Sequence, residues 1–310
     1  MCSMGTMKQS RCYVLALVTF QAYMLFCFWL KSPCPVVKES ACDTVTHPIP
    51  PVQSTAQSCP ITWVTSYYRI PGKHSHGEYV QWIHNMKEIN MCLVVYTDVF
   101  DVSFGHPSTT LIVPTSLCAV SSHHLNMTAG EWNRELSIDP ECRHHNHYQL
   151  YWVWAMKPFF LNATAASNPF RSEAFFWIDA GYFRDERHNG MNITTVRTHS
   201  VKPGAMTFIL VYPLWLWRLN ECISSPVFLD AIAGNLFGGD ASAVHSWCRH
   251  YEQMLLVYHT NGWFMGKDQT VMNSICLNTP ARCHYIKHNR TLHESAWGAL
   301  FETVVSNHSI

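Results

Sequence analysis

From residue 60 onward the chain alternates short, unbroken apolar runs with longer stretches in which apolar residues recur at helical spacing. PITWVTSYY (60–68), MCLVVY (91–96), TLIV (110–113), FFWI (175–178) and TFILVY (207–212) are each rich in β-branched and aromatic residues. That is the pattern of strands buried on both faces. Tyr79, Trp82, Ile83 and Met86 form one apolar stripe and predict a helix over 78–89. The very aromatic segment 148–162 predicts a helix lying on the sheet. Val244, Trp247, Cys248, Tyr251 and Leu255 predict another over 241–258, with further helices over 270–276 and near the C-terminus. Strand, helix, strand in this rhythm predicts parallel pairing with right-handed crossovers. The expected fold class is therefore α/β, a Rossmann-type, mostly parallel sheet flanked by helices.

Two segments break the rhythm. Residues 116–150 carry His123, His124, His144, His145 and His147. Adjacent histidines diverge and no cysteine or carboxylate stands at a ligand spacing, so the segment is expected to be a solvated loop. The stretch DAIAGNLFGGD (230–240) holds Gly234, Gly238 and Gly239 and alone reads as a turn.

Ahead of the domain, residues 12–30 are uncharged, flanked by Arg11 and Lys31, and long enough to cross a bilayer. Bulky Phe26, Phe28 and Trp29 precede Lys31 with no small-residue cleavage pattern, so an uncleaved signal anchor is expected, with residues 1–11 cytoplasmic. Residues 31–59, rich in Pro, Ser and Thr, are expected to be a stem, and 60–310 a lumenal folded domain.

Composition narrows the partners. The formal net charge is zero and only 14% of residues are charged, so no basic surplus exists for a nucleic acid. Thirteen cysteines, ten of them beyond the anchor, suit a disulfide-forming compartment. Five Asn-x-Ser/Thr sequons, at Asn126, Asn162, Asn192, Asn289 and Asn307, point the same way.

The chemistry centres on Asp179, where the run Phe175-Phe176-Trp177-Ile178 ends in a carboxylate followed by Ala180 and Gly181. Ligands of open α/β sheets lie beyond the carboxyl ends of strands. A helix-capping aspartate is the plainer alternative.

Three blocks carry a resemblance: Asn168-Pro169-Phe170-Arg171-Ser172-Glu173 with Phe176 through Arg184, then Asn235-Leu236-Phe237-Gly238-Gly239, then Gly266-Lys267-Asp268-Gln269-Thr270-Val271-Met272-Asn273. From residue 60 to the end, the chain resembles the HtrL/YibB-like (WlaTC-related) family of glycosyltransferases. The resemblance implies a GT-A-like fold and a nucleotide-sugar donor. It implies donor contacts at Thr65, Tyr67, Lys157, Asp179, Gly181, Arg184, Gly238, Gly239, Lys267 and Gln269. Lys157 would meet the diphosphate, a surface lysine being the alternative, and Gly238 and Gly239 would shape the pocket. Asp268 would contact the sugar or act as general base, with Asp179 the other catalytic acid.

Such enzymes commonly hold Mn²⁺ or Mg²⁺ on an Asp-x-Asp pair, and here the second acid is Gly181. The implied metal would then rest on Asp179 with Asp268 or His284, unless Arg184 or Lys267 neutralises the diphosphate instead. The expected partners are a nucleotide sugar, a glycan or glycoprotein acceptor and, through the N-terminal helix, a Golgi or ER membrane. The absent second acid also leaves open a non-catalytic lectin-like or scaffold protein. An aspartate-nucleophile phosphatase is the remaining option, though it would need an acid where Gly181 stands.

Overall fold

A computed structural model describes residues 47–71, 74–125, 127–142, 145, 147–211, 231–287 and 299–305. Its strands are β1 (Ile61–Tyr67), β2 (Leu93–Thr97), β3 (Thr110–Pro114), β4 (Ala174–Ile178), β5 (Met206–Leu210), β6 (Ile232–Gly239) and β7 (Cys283–Lys287). They form one sheet in the order β3-β2-β1-β4-β6-β5-β7. β6 runs antiparallel to β4 and β5, while the other neighbours pair in parallel. The helices are α1 (His76–Lys87), α2 (Leu117–Leu125), α3 (Ala129–Ile138), α4 (Gln149–Ser167), α5 (Ala241–Thr260), α6 (Asp268–Asn278) and α7 (Ala299–Val305). This is the mostly parallel, helix-flanked α/β sheet that the apolar runs predict.

The period-two geometry of a strand explains the two cores. Val64, Phe175 and Trp177 face one layer, built with α4, α5 and α6. Their neighbours Trp63, Phe176 and Ile178 face the other, built with α1 and α7. Burying both faces stabilises by roughly 1.5–3 kcal/mol per large apolar side chain, and it is why β1, β2, β4 and β5 read as continuous apolar runs. β3, at the sheet edge, is only partly buried and exposes Ile112.

The Asn168–Glu173 block is a structural turn. Asn168 and Arg171 take the left-handed conformation (φ 41° and 54°). The Asn168 side chain clasps both backbone groups of Ser172, at 2.7 and 3.1 Å. Ser172 Oγ in turn donates to the Cys59 carbonyl at 2.6 Å. The block ends α4 and aims β4 at the site.

Three expectations change. Residues 47–59 lie against the domain: Thr55 and Cys59 donate backbone hydrogen bonds to Pro169 and Phe170, Val52 is buried, and Cys59 is bonded to Cys92. The anchor, the tail and the rest of the stem fall outside the described residues. Among those described, no helix is long and apolar enough to cross a membrane.

Second, the 116–150 segment contains α2 and α3. A reciprocal capping box between Thr128 and Glu131 starts α3, and Trp132 and Leu136, four apart, bury its inner face. Third, the glycine-rich 230–240 stretch contains a central strand, β6.

The sequons also divide. Thr164 of the Asn162 sequon is fully buried within α4, with its hydroxyl 2.9 Å from that of Tyr96. Asn192 is exposed, and Asn126, Asn289 and Asn307 lie outside the described residues. A second disulfide, Cys276–Cys283, ties α6 to β7.

Candidate functional site

β1 leads through β2 to β3 on one side and adjoins β4 on the other, so a crevice opens beyond the carboxyl ends of β1 and β4. A cavity of about 1200 Å³ occupies it. Tyr67 and Tyr68 close β1 on one side, and Asp179, Ala180 and Gly181 leave β4 on the other. The third wall is one face of α4: Leu150, Val153, Trp154 and Lys157, at helical spacing.

Asp179 continues the ladder for one residue, donating its N–H to the Asn235 carbonyl at 2.9 Å, and the chain then turns. Gly181 fits the turn because a Cβ there would lie 2.9 Å from the Trp82 ring. Arg184 then lays its guanidinium over Trp82, 4.6 Å from the ring centroid.

The cavity floor is an acid–lysine–acid cluster. Lys157 Nζ is 2.9 Å from Asp179 Oδ1 and 2.8 Å from Asp268 Oδ2. It also donates to the Gly234 carbonyl at 2.9 Å. Gly234 leaves room there, since a Cβ would sit 2.9 Å from Gln269 Cγ and 3.1 and 3.2 Å from the Asp268 carboxylate oxygens. Trp177 Nε1 donates to Asp179 Oδ1 at 2.6 Å, and the Gln269 N–H to Asp268 Oδ1 at 2.8 Å. The Gln269 side chain fastens the start of α6 to β6 through the Ile232 carbonyl at 2.8 Å.

Burial decides the electrostatics. Lys157 is 2% exposed and Asp268 4%, whereas the Asp179 side chain is 33% exposed. Burial acts to lower the Lys157 pKa, but the Asp179 and Asp268 carboxylates outweigh it and hold the ammonium charged. Burial raises the Asp268 pKa, and Lys157 offsets part of that rise. Burial, with Asp179 nearby, pushes the Tyr79 phenol up to about 12. Asp179 is therefore the acid that faces the cavity, and Asp268 is the one that anchors the lysine.

Of the residues singled out in the sequence, Asp179, Asp268, Lys157, Tyr67, Gly181, Arg184, Lys267 and Gln269 line this cavity. Asp179 and Asp268, far apart in sequence, meet on one lysine. Lys157 belongs neither to the surface nor to an open diphosphate site. Thr65 is fully buried inside β1 and does not line the cavity.

Gly238 and Gly239 are paired with Phe176 and Phe175, at the opposite end of β4 from Asp179. Because β6 is antiparallel, its first half, Gly234 and Asn235, reaches the site. His284 lies within β7, opposite Thr207 of β5, three strands away from β4. The CHYIK segment is itself the last strand, so His284 does not point at the acids' cavity. His288 lies outside the described residues.

The residues do not fit the expected metal. A divalent ion bridging Asp179 and Asp268 would share its place with the Lys157 ammonium. At about 4 Å separation that repulsion is roughly 8 kcal/mol even at an effective dielectric of 20. Among the described residues, no group of three or more His, Cys, Asp or Glu side chains is placed to hold a metal ion.

One cluster in the cavity wall was not anticipated. His145, 5% exposed, has Nδ1 2.6 Å from Asp139 Oδ2, and Tyr151 donates to the same oxygen at 2.7 Å. The Glu141 N–H holds Asp139 Oδ1 at 2.7 Å, and the His145 ring packs edge-on against Trp154 at 5.0 Å. Nothing in the spacing of Asp139 and His145 reveals this. The usable signal was the Thr128–Glu131 capping box, whose helix ends at Asp139.

Behind this wall, Glu135 is 2% exposed and accepts the Met265 N–H at 2.7 Å, bracing the loop that leads to Asp268. Burial raises its pKa to about 7. The folded state then binds this proton more tightly than the unfolded state. Glu135 therefore contributes stability below its ordinary value, and this is lost as pH rises toward about 7. Across that window the loss is about 3 kcal/mol. Urea denaturation from pH 4.5 to 7.5 is expected to show the Glu135→Gln variant gaining on the parent as pH rises. A constant difference would refute the assignment.

In comparison with known proteins, no family profile matches the chain, and no curated protein matches it in sequence. The resemblance to the HtrL/YibB-like family thus rests on the three blocks alone. Among solved structures, the apo form of mouse xyloside xylosyltransferase 1 aligns with a TM-score of 0.40 and 9% identity. The alignment covers 73% of this chain and 84% of that one. A likeness of that depth carries no argument about the chemistry.

Proposed function

We propose that the protein is a glycosyltransferase that moves a sugar from a nucleotide-sugar donor to a glycan or protein hydroxyl. One observation carries this reading. Asp179 at the end of β4 and Asp268 at the start of α6 converge on Lys157 at the floor of a large cavity beyond the carboxyl ends of parallel strands.

The aromatic wall of Tyr67, Tyr79 and Trp82 suits stacking with a base or sugar. Asp179, partly exposed, accepts hydrogen bonds from donor sugar hydroxyls. Arg184 is paired to no carboxylate among the described residues and meets the diphosphate. As the bond from the sugar's anomeric carbon to the diphosphate breaks, its electrons leave with the nucleoside diphosphate. The acceptor oxygen forms the new bond.

His145 is the side chain built to take the acceptor proton. Its Nδ1 is held 2.6 Å from the buried Asp139 carboxylate, which leaves Nε2, 4.0 Å from Glu141 Oε2, as the nitrogen to take the proton. This moves the base role away from Asp268, whose oxygens are engaged by Lys157 and Gln269. The disulfides suit a secretory lumen, with residues 12–30 as the membrane anchor of a Golgi or ER protein.

The test is nucleotide release by the full chain from a panel of UDP- and GDP-sugars. Release is expected from at least one donor, falling by about 100-fold or more in His145→Gln and in Asp179→Asn. Glycan binding with no nucleotide release from any donor would replace the transferase with the lectin-like reading.

A further inference from the structure

We propose that Lys157 is a built-in cation standing where a divalent metal would bind, so that the donor site works without one. Two carboxylates and a backbone carbonyl are a hard-oxygen donor set of the kind that takes Mg²⁺ or Mn²⁺. Here all three, Asp179 Oδ1, Asp268 Oδ2 and the Gly234 carbonyl, lie within 2.9 Å of the Lys157 ammonium. They come from the end of β4, the start of α6 and β6, so the sheet and a helix assemble the cage around a side chain from α4.

The lysine has nowhere else to go. It is 2% exposed, in the middle of a 19-residue helix, with its ammonium 5.9 Å from the Trp177 ring centroid. A metal cannot enter while the ammonium stays, and the two carboxylates and the Gly234 carbonyl hold the ammonium in place at the cavity floor. The missing second acid of the Asp-x-Asp pair follows directly. With a fixed positive charge already on Asp179, a carboxylate at the Gly181 position would have no cation to bind.

Two carboxylates on one ammonium leave the cluster net negative, so the diphosphate is met at the rim. Arg184, stacked on Trp82 and hydrogen-bonded to the Gly181 carbonyl at 3.3 Å, stands on the same turn as Asp179. Lys267, bound to Glu141 at 3.0 Å, lines the far side.

The role in donor turnover rests on the transferase reading, while exclusion of the metal does not. Mn²⁺ binding to the metal-stripped full chain, followed by electron paramagnetic resonance, tests the second point without any substrate. The parent is expected to leave the free Mn²⁺ signal undiminished. Lys157→Ala, which frees both carboxylates, is expected to bind Mn²⁺ at least about tenfold more tightly than the parent. Should Lys157→Ala not fold, the parent and Asp179→Asn decide alone: Mn²⁺ binding by the parent that Asp179→Asn removes overturns the proposal.

For turnover, nucleotide release by the parent is expected to be unchanged by EDTA or by added Mn²⁺. A tenfold or greater fall in EDTA, restored by Mn²⁺, would also overturn it. No release under either condition removes the transferase reading while leaving the Mn²⁺ result to stand for the cage.

Discussion

Replacing Lys157 with methionine is expected to cost about 3–5 kcal/mol of folding stability at pH 7, the usual consequence of stranding a buried charge. Methionine fills much of the same space, so the loss reports charge and not a cavity. Without the ammonium, Asp268, 4% exposed, and the neighbouring Asp179 carboxylate are left with no cation between them. Burial already raises the Asp268 pKa, and removing its positive partner raises it further. The variant's folded state therefore takes up a proton more readily than its unfolded state, and its deficit narrows as pH falls. Urea denaturation of parent and Lys157→Met at pH 7.5 and pH 5 measures both effects. A loss under about 1 kcal/mol, equal at the two pH values, would mean the three side chains do not form the buried cluster.

Changing Gly238 to alanine is expected to be as damaging, for a reason that has nothing to do with the cavity. A Cβ at that position would stand 2.2 Å from the Phe175 carbonyl oxygen and 2.5 Å from the Phe176 ring. Neither neighbour is the free end of a flexible side chain: one is backbone in β4 and the other a fully buried ring. The β4–β6 pairing has to open, at a cost of about 3 kcal/mol or more. For a domain of this size that lowers the melting temperature by roughly 6–12 °C. A thermal melt separates this account from the pocket role first expected of Gly238. A well-folded Gly238→Ala protein with normal melting and weakened donor binding would restore the pocket role.

What the sequence disclosed follows from where its signals come from. Buried parallel strands advertise themselves, because both faces must be apolar, and β1, β2, β4 and β5 were legible for that reason. The rim position of Asp179 was legible too, since a carboxylate ending such a run has few other places to be. β6 was hidden because its glycines, read as a turn, are there to let the strand lie against β4 and against Asp268. Its antiparallel direction, invisible in composition, decided that Gly234 and not Gly238 meets the site. Lys157 was singled out for the diphosphate, yet its true partners come from residues 179, 234 and 268, a convergence fixed only by tertiary packing. The Asp139–His145 pair was hidden for the same reason, in a segment with no periodicity to follow.

The cavity's claim to a nucleotide sugar is tested most directly by isothermal titration of UDP and GDP, separately, into the full chain. One of them is expected to bind with 1:1 stoichiometry. Arg184→Ala is expected to weaken that binding by about tenfold or more, the loss of one charge-assisted contact to phosphate. No binding of either nucleotide, or binding that Arg184→Ala leaves untouched, would contradict the account.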